Sequence, residues 1–135
     1  KTSLIVGSSY DGEVLAMNYD GKLLWTTALS GIMNQDLWCA DLTGDGNDEI
    51  MTANADGSVY CLDHRGKLLW TFKRNDAPMY SVCSVRKDGK AYVVCGGFDK
   101  SIYYLSSAGE LVKELPSSGY TIQRPWGPAR ITFSI

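Results

Sequence analysis

Short runs of β-branched, aromatic and aliphatic residues, separated by glycine turns, recur along this chain with a period in the low forties. The clearest copy lies between Asp41 and Lys73. Turns at Gly44-Asp45-Gly46, Asp56-Gly57 and Arg65-Gly66 divide it into four strand-length runs, the pattern of an antiparallel meander. Upstream, Gly12, Gly21 and Trp25 precede Gly57, Gly66 and Trp70 by 45 residues. Downstream, Asp99, Leu105 and Gly109 follow Asp56, Leu62 and Gly66 by 43 residues.

Four strands per repeat at this period is the signature of β-propeller blades. The expected fold is all-β: about three four-stranded antiparallel blades in a single propeller segment over residues 1–135. The repeats fall at approximately 3–30, 36–73 and 78–116, and a further inner strand starts within 120–135. The first repeat lacks its innermost strand. The third is degenerate, with Lys100 in the place of Gly57 and Lys113 in the place of Trp70. Both residue parities of the strands are largely apolar, as expected of sheets covered on both faces. Three such sheets cannot close a ring without unpaired edges. The expectation is therefore either a fragment of a longer propeller chain or a homo-oligomer, in which the strand within 120–135 supplies in trans the one missing from the first repeat.

Composition narrows the function classes. With 135 residues, 44% hydrophobic and 21% charged, the chain can bury a real core. A net charge of −2 without a Lys/Arg cluster lacks the footprint of a nucleic-acid binder. The apolar runs are strand-length, so no membrane span is expected. Cys39, Cys61, Cys83 and Cys95 form no CxxC pair and accompany a single histidine, which argues against structural zinc. They read as small buried hydrophobes, although Cys83 and Cys95 flank a hairpin turn and are candidates to face each other.

The strongest chemical signal is the segment from Asp41 to Ile50. Oxygen-bearing side chains recur at alternate positions, Asp41, Thr43, Asp45, Asn47 and Glu49, with Gly44 and Gly46 letting the backbone curl. Calcium takes six to eight hard oxygen ligands from such bendable loops. A metal-free acidic hairpin turn is the alternative, since Asp and Gly favour turns in any case. The segment resembles the DxNGDGxxD(I/L) loop of FG-GAP/VCBS-type propeller repeats. That resemblance implies a calcium ion held by Asp41, Asp45 and the residue at position nine, here Glu49, with Thr43 where Asn or Asp is usual.

The outer half of each repeat is similar to the PQQ-like quinoprotein repeat. The matching residues are Cys61, Asp63, Gly66 and Trp70, and Ala16, Asn18, Gly21 and Trp25 one repeat earlier. The resemblance implies blades locked together by the tryptophans. It concerns fold, and the quinone cofactor is not expected. No catalytic constellation stands out: a Cys61/His64 pair lacks a third orienting group. Inner strands line a propeller's central channel, so Asn34, Gln35, Asp36, Trp38, Tyr80, Arg124 and Trp126 are candidates for ligand contact there, a mix of amides and aromatics that suits sugars or peptide segments. The functional expectation is a non-catalytic binding or scaffold module for a carbohydrate or protein ligand, extracellular or periplasmic. The alternative is part of a propeller-based polysaccharide lyase or hydrolase whose catalytic residues lie elsewhere.

Overall fold

The computed structural model describes residues 3–122, in which every regular element is a β-strand. The first sheet holds β1 (Ile5–Ser8), β2 (Glu13–Met17) and β3 (Leu23–Ala28), in the order β1-β2-β3. The second holds β4 (Asn34–Ala40), β5 (Glu49–Asn54), β6 (Ser58–Leu62) and β7 (Leu68–Lys73). The third holds β8 (Met79–Lys87), β9 (Lys90–Gly97), β10 (Ser101–Ser106) and β11 (Leu111–Pro116). Each sheet is an antiparallel meander of its own repeat, and no strand is shared between sheets. Three such meanders packed face on face are blades of a β-propeller. Among the described residues, the first blade has no strand in the place of β4 and β8.

Local chemistry sets the turns. The hairpin between β8 and β9 places Asp88 and Gly89 at φ 52° and 78°, the two left-handed residues a tight hairpin of this kind needs. Lys100 stands where the preceding repeat has Gly57 and still adopts φ 64°, so the turn geometry survives the loss of glycine.

The sheet faces sort the apolar residues into two interfaces. Ile50 and Leu62, directly paired across β5 and β6, meet Val14 of the first blade, with Val6, Trp25, Leu29 and Leu37 at the margin. Met51 and Cys61, the next pair along, point the other way and pack against Val82, Val93, Cys95, Tyr103 and Leu105 of the third blade. Phe72 and Tyr103 add a tilted ring contact at 5.4 Å. Burial of each such aliphatic side chain is worth about 1.5–3 kcal/mol. Every residue of β5 and β6 is buried. Coverage on both faces holds for this middle blade, whereas β2 alternates between buried and more exposed residues because only its second-blade side is covered.

The cysteines depart from expectation. Cys61 and Cys95 are buried, but Cys39 is exposed and Cys83 is half-buried. Cys83 lies opposite Val94 and Cys95 opposite Val82, so alternation sends the two thiols to opposite faces of the third sheet. Among the described residues no helix is long and apolar enough to cross a membrane. The expected strand within 120–135, and with it Arg124 and Trp126, falls outside the described residues from 123 onward.

Candidate functional site

The β4–β5 connection brings the acidic residues together. Asp41 Oδ1 accepts the amide of Gly44 at 2.7 Å and that of Thr43 at 3.2 Å, while Oδ2 accepts the Gly46 amide at 2.8 Å. Asp45 Oδ1 accepts the Asn47 amide at 2.8 Å. Glu49, buried at the start of β5, takes the Leu42 amide on Oε2 at 2.7 Å and the Thr43 hydroxyl on Oε1 at 3.4 Å. The loop thus folds around its own carboxylates. One oxygen from each of Asp41, Asp45 and Glu49 lies within 4.8 Å of the others. Two oxygens bound to one calcium at about 2.4 Å are at most about 4.8 Å apart, so this donor set fits that ion.

Electrostatics favour charge over proton transfer here. The Gly46 amide, supported by those of Gly44 and Thr43, holds the Asp41 carboxyl below its usual range against a smaller opposing effect of burial. The Asn47 amide does the same for Asp45. A general acid working near neutral pH requires a shift in the opposite direction. Across the blade boundary, Arg86 Nη2 donates to the Asp41 carbonyl oxygen at 2.9 Å and ties β8 to the loop.

The inner-strand candidates divide. Asp36 is buried, and its Oδ2 accepts the Val82 amide at 3.1 Å while Oδ1 accepts that of Leu37 at 3.0 Å. Trp38 Nε1 donates to Ser84 Oγ at 2.9 Å. These two side chains join the second blade to the third. Gln35 and Tyr80 occupy equivalent places, each the residue skipped by the ladder at a register shift in β4 and β8, where bulges re-aim side chains. Asn34 accepts from Asn54 Nδ2 at 2.9 Å, and its own buried Nδ2 has no partner among the described residues.

Two polar clasps escape a reading of the sequence. Tyr60 donates its hydroxyl proton to Asp56 at 2.6 Å and accepts the Gly31 amide at 3.0 Å, joining the second blade to the loop that leaves the first. Tyr103 repeats the bond with Asp99, whose Oδ2 also accepts from Asn75 Nδ2 at 2.9 Å. Burial and then the neighbouring aspartate push both phenols up. The available signal was an Asp-x-x-x-Tyr spacing recurring 43 residues on. The Cys61 thiol is pushed up to about 12, by burial first and then by Glu49 and Asp63, which removes it as a nucleophile at neutral pH.

Comparison with known proteins gives a consistent picture. The family profile described as the lambda-carrageenase beta-propeller domain matches residues 4–133. Lambda-carrageenases of a Pseudoalteromonas sp and of Pseudoalteromonas carrageenovora are each 47% identical over 125 residues, 93% of this chain. The chain spans only 13% of the length of these relatives. The crystal structure of BamB from Moraxella catarrhalis superposes with a TM-score of 0.64 at 17% identity, covering 84% of this chain and 33% of that one, a likeness of fold alone. The profile match is to this propeller family and not to the FG-GAP/VCBS or PQQ-like repeats that the motifs resemble. With three stacked meanders in place and the profile running across nearly all of them, the chain belongs to the lambda-carrageenase beta-propeller domain family.

Proposed function

We propose that this chain is a propeller module of a carrageenan-degrading enzyme, with the bond-breaking residues elsewhere in a longer polypeptide. The 47% identity to lambda-carrageenases over 125 residues carries this reading. It favours the polysaccharide-enzyme alternative over a free-standing binding module. The low-lying Asp41 and Asp45 carboxyls supply no proton donor near neutral pH, and the Cys61 thiol, pushed up by burial, supplies no ready thiolate, in keeping with this reading. Within the module, Asn34 and Tyr80 on the inner strands are the residues for polysaccharide contact, while Asp36 and Trp38 hold the blades that present them. The likeness to lambda-carrageenases supports a place of action outside the cytoplasm, where a polysaccharide is met before it is shortened.

Calcium belongs to the same proposal. Asp41, Asp45 and Glu49 supply carboxylate oxygens, Thr43 a hydroxyl and Asn47 a carbonyl, and the bound ion pins the β4–β5 hairpin beside the inner strands. The experiment is a paired assay with lambda-carrageenan: binding to the 135-residue chain by affinity electrophoresis, and depolymerisation by the full-length polypeptide. Binding without turnover by the chain, together with turnover by the full polypeptide, is expected. Turnover by the chain alone, or none by either, would overturn the reading.

A further inference from the structure

The third blade carries at one end a feature that its neighbour does not share. β8 and β9 stay paired through Arg86↔Ala91 and Lys87↔Lys90, whereas β10 pairs β9 only as far as Tyr92. The last rungs of this hairpin therefore stand out as a two-stranded arm beyond the edge of the sheet. They connect the same two strands of the blade that the carboxylate loop connects in the second blade, and they carry the opposite charge. Arg86, Lys87 and Lys90 fall within five residues and are all exposed, with Asp88 at the tip.

The arm is held in place, yet its charge is not neutralised. Arg86 ties it to the Asp41 carbonyl. Lys87 and Lys90 stand directly opposite each other, where like charges repel, and neither forms an ion pair among the described residues. Residues 42–44 of the second blade, Arg86 and Lys90 of the arm, and Tyr92 and Ser107 line a groove of about 580 Å³, within the size range of ligand clefts. No carboxylate lines it. Those of Asp41, Asp45 and Glu49 turn onto amides of their own loop. The groove also lies at a completed joint: both blades that wall it have four strands, and the Ser107 carbonyl accepts the Trp70 indole of the second blade at 3.0 Å.

We propose that this groove is a second polysaccharide-binding site, in which Lys87 and Lys90 of the arm, backed by Arg86, hold the sulfate esters of a chain lying across the end of the blades. The choice of occupant rests on the reading of the segment as a module of a carrageenan-degrading enzyme, since carrageenan is a galactan bearing sulfate esters. A sulfate ester stays ionised at every physiological pH, so it asks for fixed cations and the absence of carboxylates, which is what the groove offers. Lys87 borders an adjoining hollow that shares Tyr92 with the groove, and that ring is available to the apolar face of a sugar. The chain as a whole carries a net charge of −2, so a polyanion is attracted only where cations are gathered in this way. The site is separate from Asn34 and Tyr80. Tyr80 lies at the opposite end of β8 from Lys87, about 20 Å away along the strand.

The test is affinity electrophoresis of the 135-residue chain in gels containing lambda-carrageenan, with unsulfated agarose as the neutral galactan. Lys87→Ala/Lys90→Ala is expected to raise the apparent Kd for lambda-carrageenan about fivefold and to flatten its dependence on salt. Its Tm should be unchanged or higher, because a like-charge pair is gone. Lys87→Arg/Lys90→Arg keeps the charge and should bind as the parent does. Unchanged affinity in the alanine variant, an equal loss in the arginine variant, or equal retention by agarose overturns the proposal. Duplex DNA held as tightly as lambda-carrageenan, and released by the alanine variant, would make the arm a general polyanion patch and overturn it too. Asn34→Ala/Tyr80→Ala separates the site from the reading beneath it. Loss of binding in that variant, with none in the arm variant, removes the groove and leaves the enzyme reading. Binding that depends on the arm, with no depolymerisation by the full-length polypeptide, leaves the groove and removes the enzyme reading.

Discussion

Asp36 and Val82, on the inner strands of adjacent blades, are joined by a buried hydrogen bond of 3.1 Å from the Val82 amide to Asp36 Oδ2. A carboxylate thus caps a backbone donor 46 residues away, with its other oxygen on the Leu37 amide. Asp36→Ala strands the Val82 N–H in the interior and is expected to cost about 1–3 kcal/mol. Urea titration should show a lower midpoint with an unchanged slope. A change in polysaccharide affinity without a change in that midpoint would instead make Asp36 a ligand contact.

Gly66 and Gly44 have nearly the same backbone, at φ 86° and 83°, but different surroundings. Nothing lies within 4 Å of a Cβ on Gly44, whereas the Trp25 ring blocks one on Gly66. In calcium-free buffer, Gly44→Ala should cost only the left-handed strain, about 1–2 kcal/mol. Gly66→Ala adds overpacking of about 1–3 kcal/mol. Paired denaturation curves check the difference, and equal losses would mean the Trp25 joint yields freely.

Calcium titrated into chelator-treated protein should release heat and raise Tm, and Asp45→Asn should abolish most of both. The folded-state carboxyls of Asp41 and Asp45 lie below the ordinary value of 3.8, so the stability they confer is complete above that pH. It is lost as pH falls further, through their folded values. Thermal melts in metal-free buffer should show a loss in that acid range that Asp41→Asn makes smaller. The same substitution should leave the neutral-pH dependence untouched.

Thiol chemistry should separate the cysteines by blade face. Cys39 is exposed and Cys83 half-buried, whereas burial pushes the thiols of Cys61 and Cys95 up, Cys61 to about 12. Iodoacetamide under native conditions is expected to label Cys39 and Cys83 before the other two, with Cys39 slower than a free thiol because partial enclosure and Asp48 raise it. Mass spectrometry along a time course reads the order. Early labelling of Cys95 would show that the second and third blades separate readily.

What could be read from the residues was mostly local. Glycine turns and alternate oxygens declare themselves within ten residues, so the blades and the carboxylate loop of Asp41, Asp45 and Glu49 were legible. On an inner strand, a polar side chain such as Asp36 and an indole such as Trp38 look available to a ligand. Their described partners, the Val82 amide and Ser84 Oγ, lie 46 residues on, and a backbone donor leaves no mark in a sequence. Apolar parity suggested every blade was covered on both faces, yet pattern alone cannot say which blade stands at an end. The Tyr60 and Tyr103 clasps were visible only as a spacing whose meaning depends on the loops brought beside them.

The complete burial of β5 and β6 has a consequence during synthesis. A nascent chain that has just released Lys73 from the ribosome holds Met51, Ala53, Val59 and Cys61 with no third blade to cover them. That greasy face stays bare until Val82, Val93 and Tyr103 emerge, roughly 30 residues or a few seconds of translation later. For that interval, a holding chaperone has its clearest target on this segment.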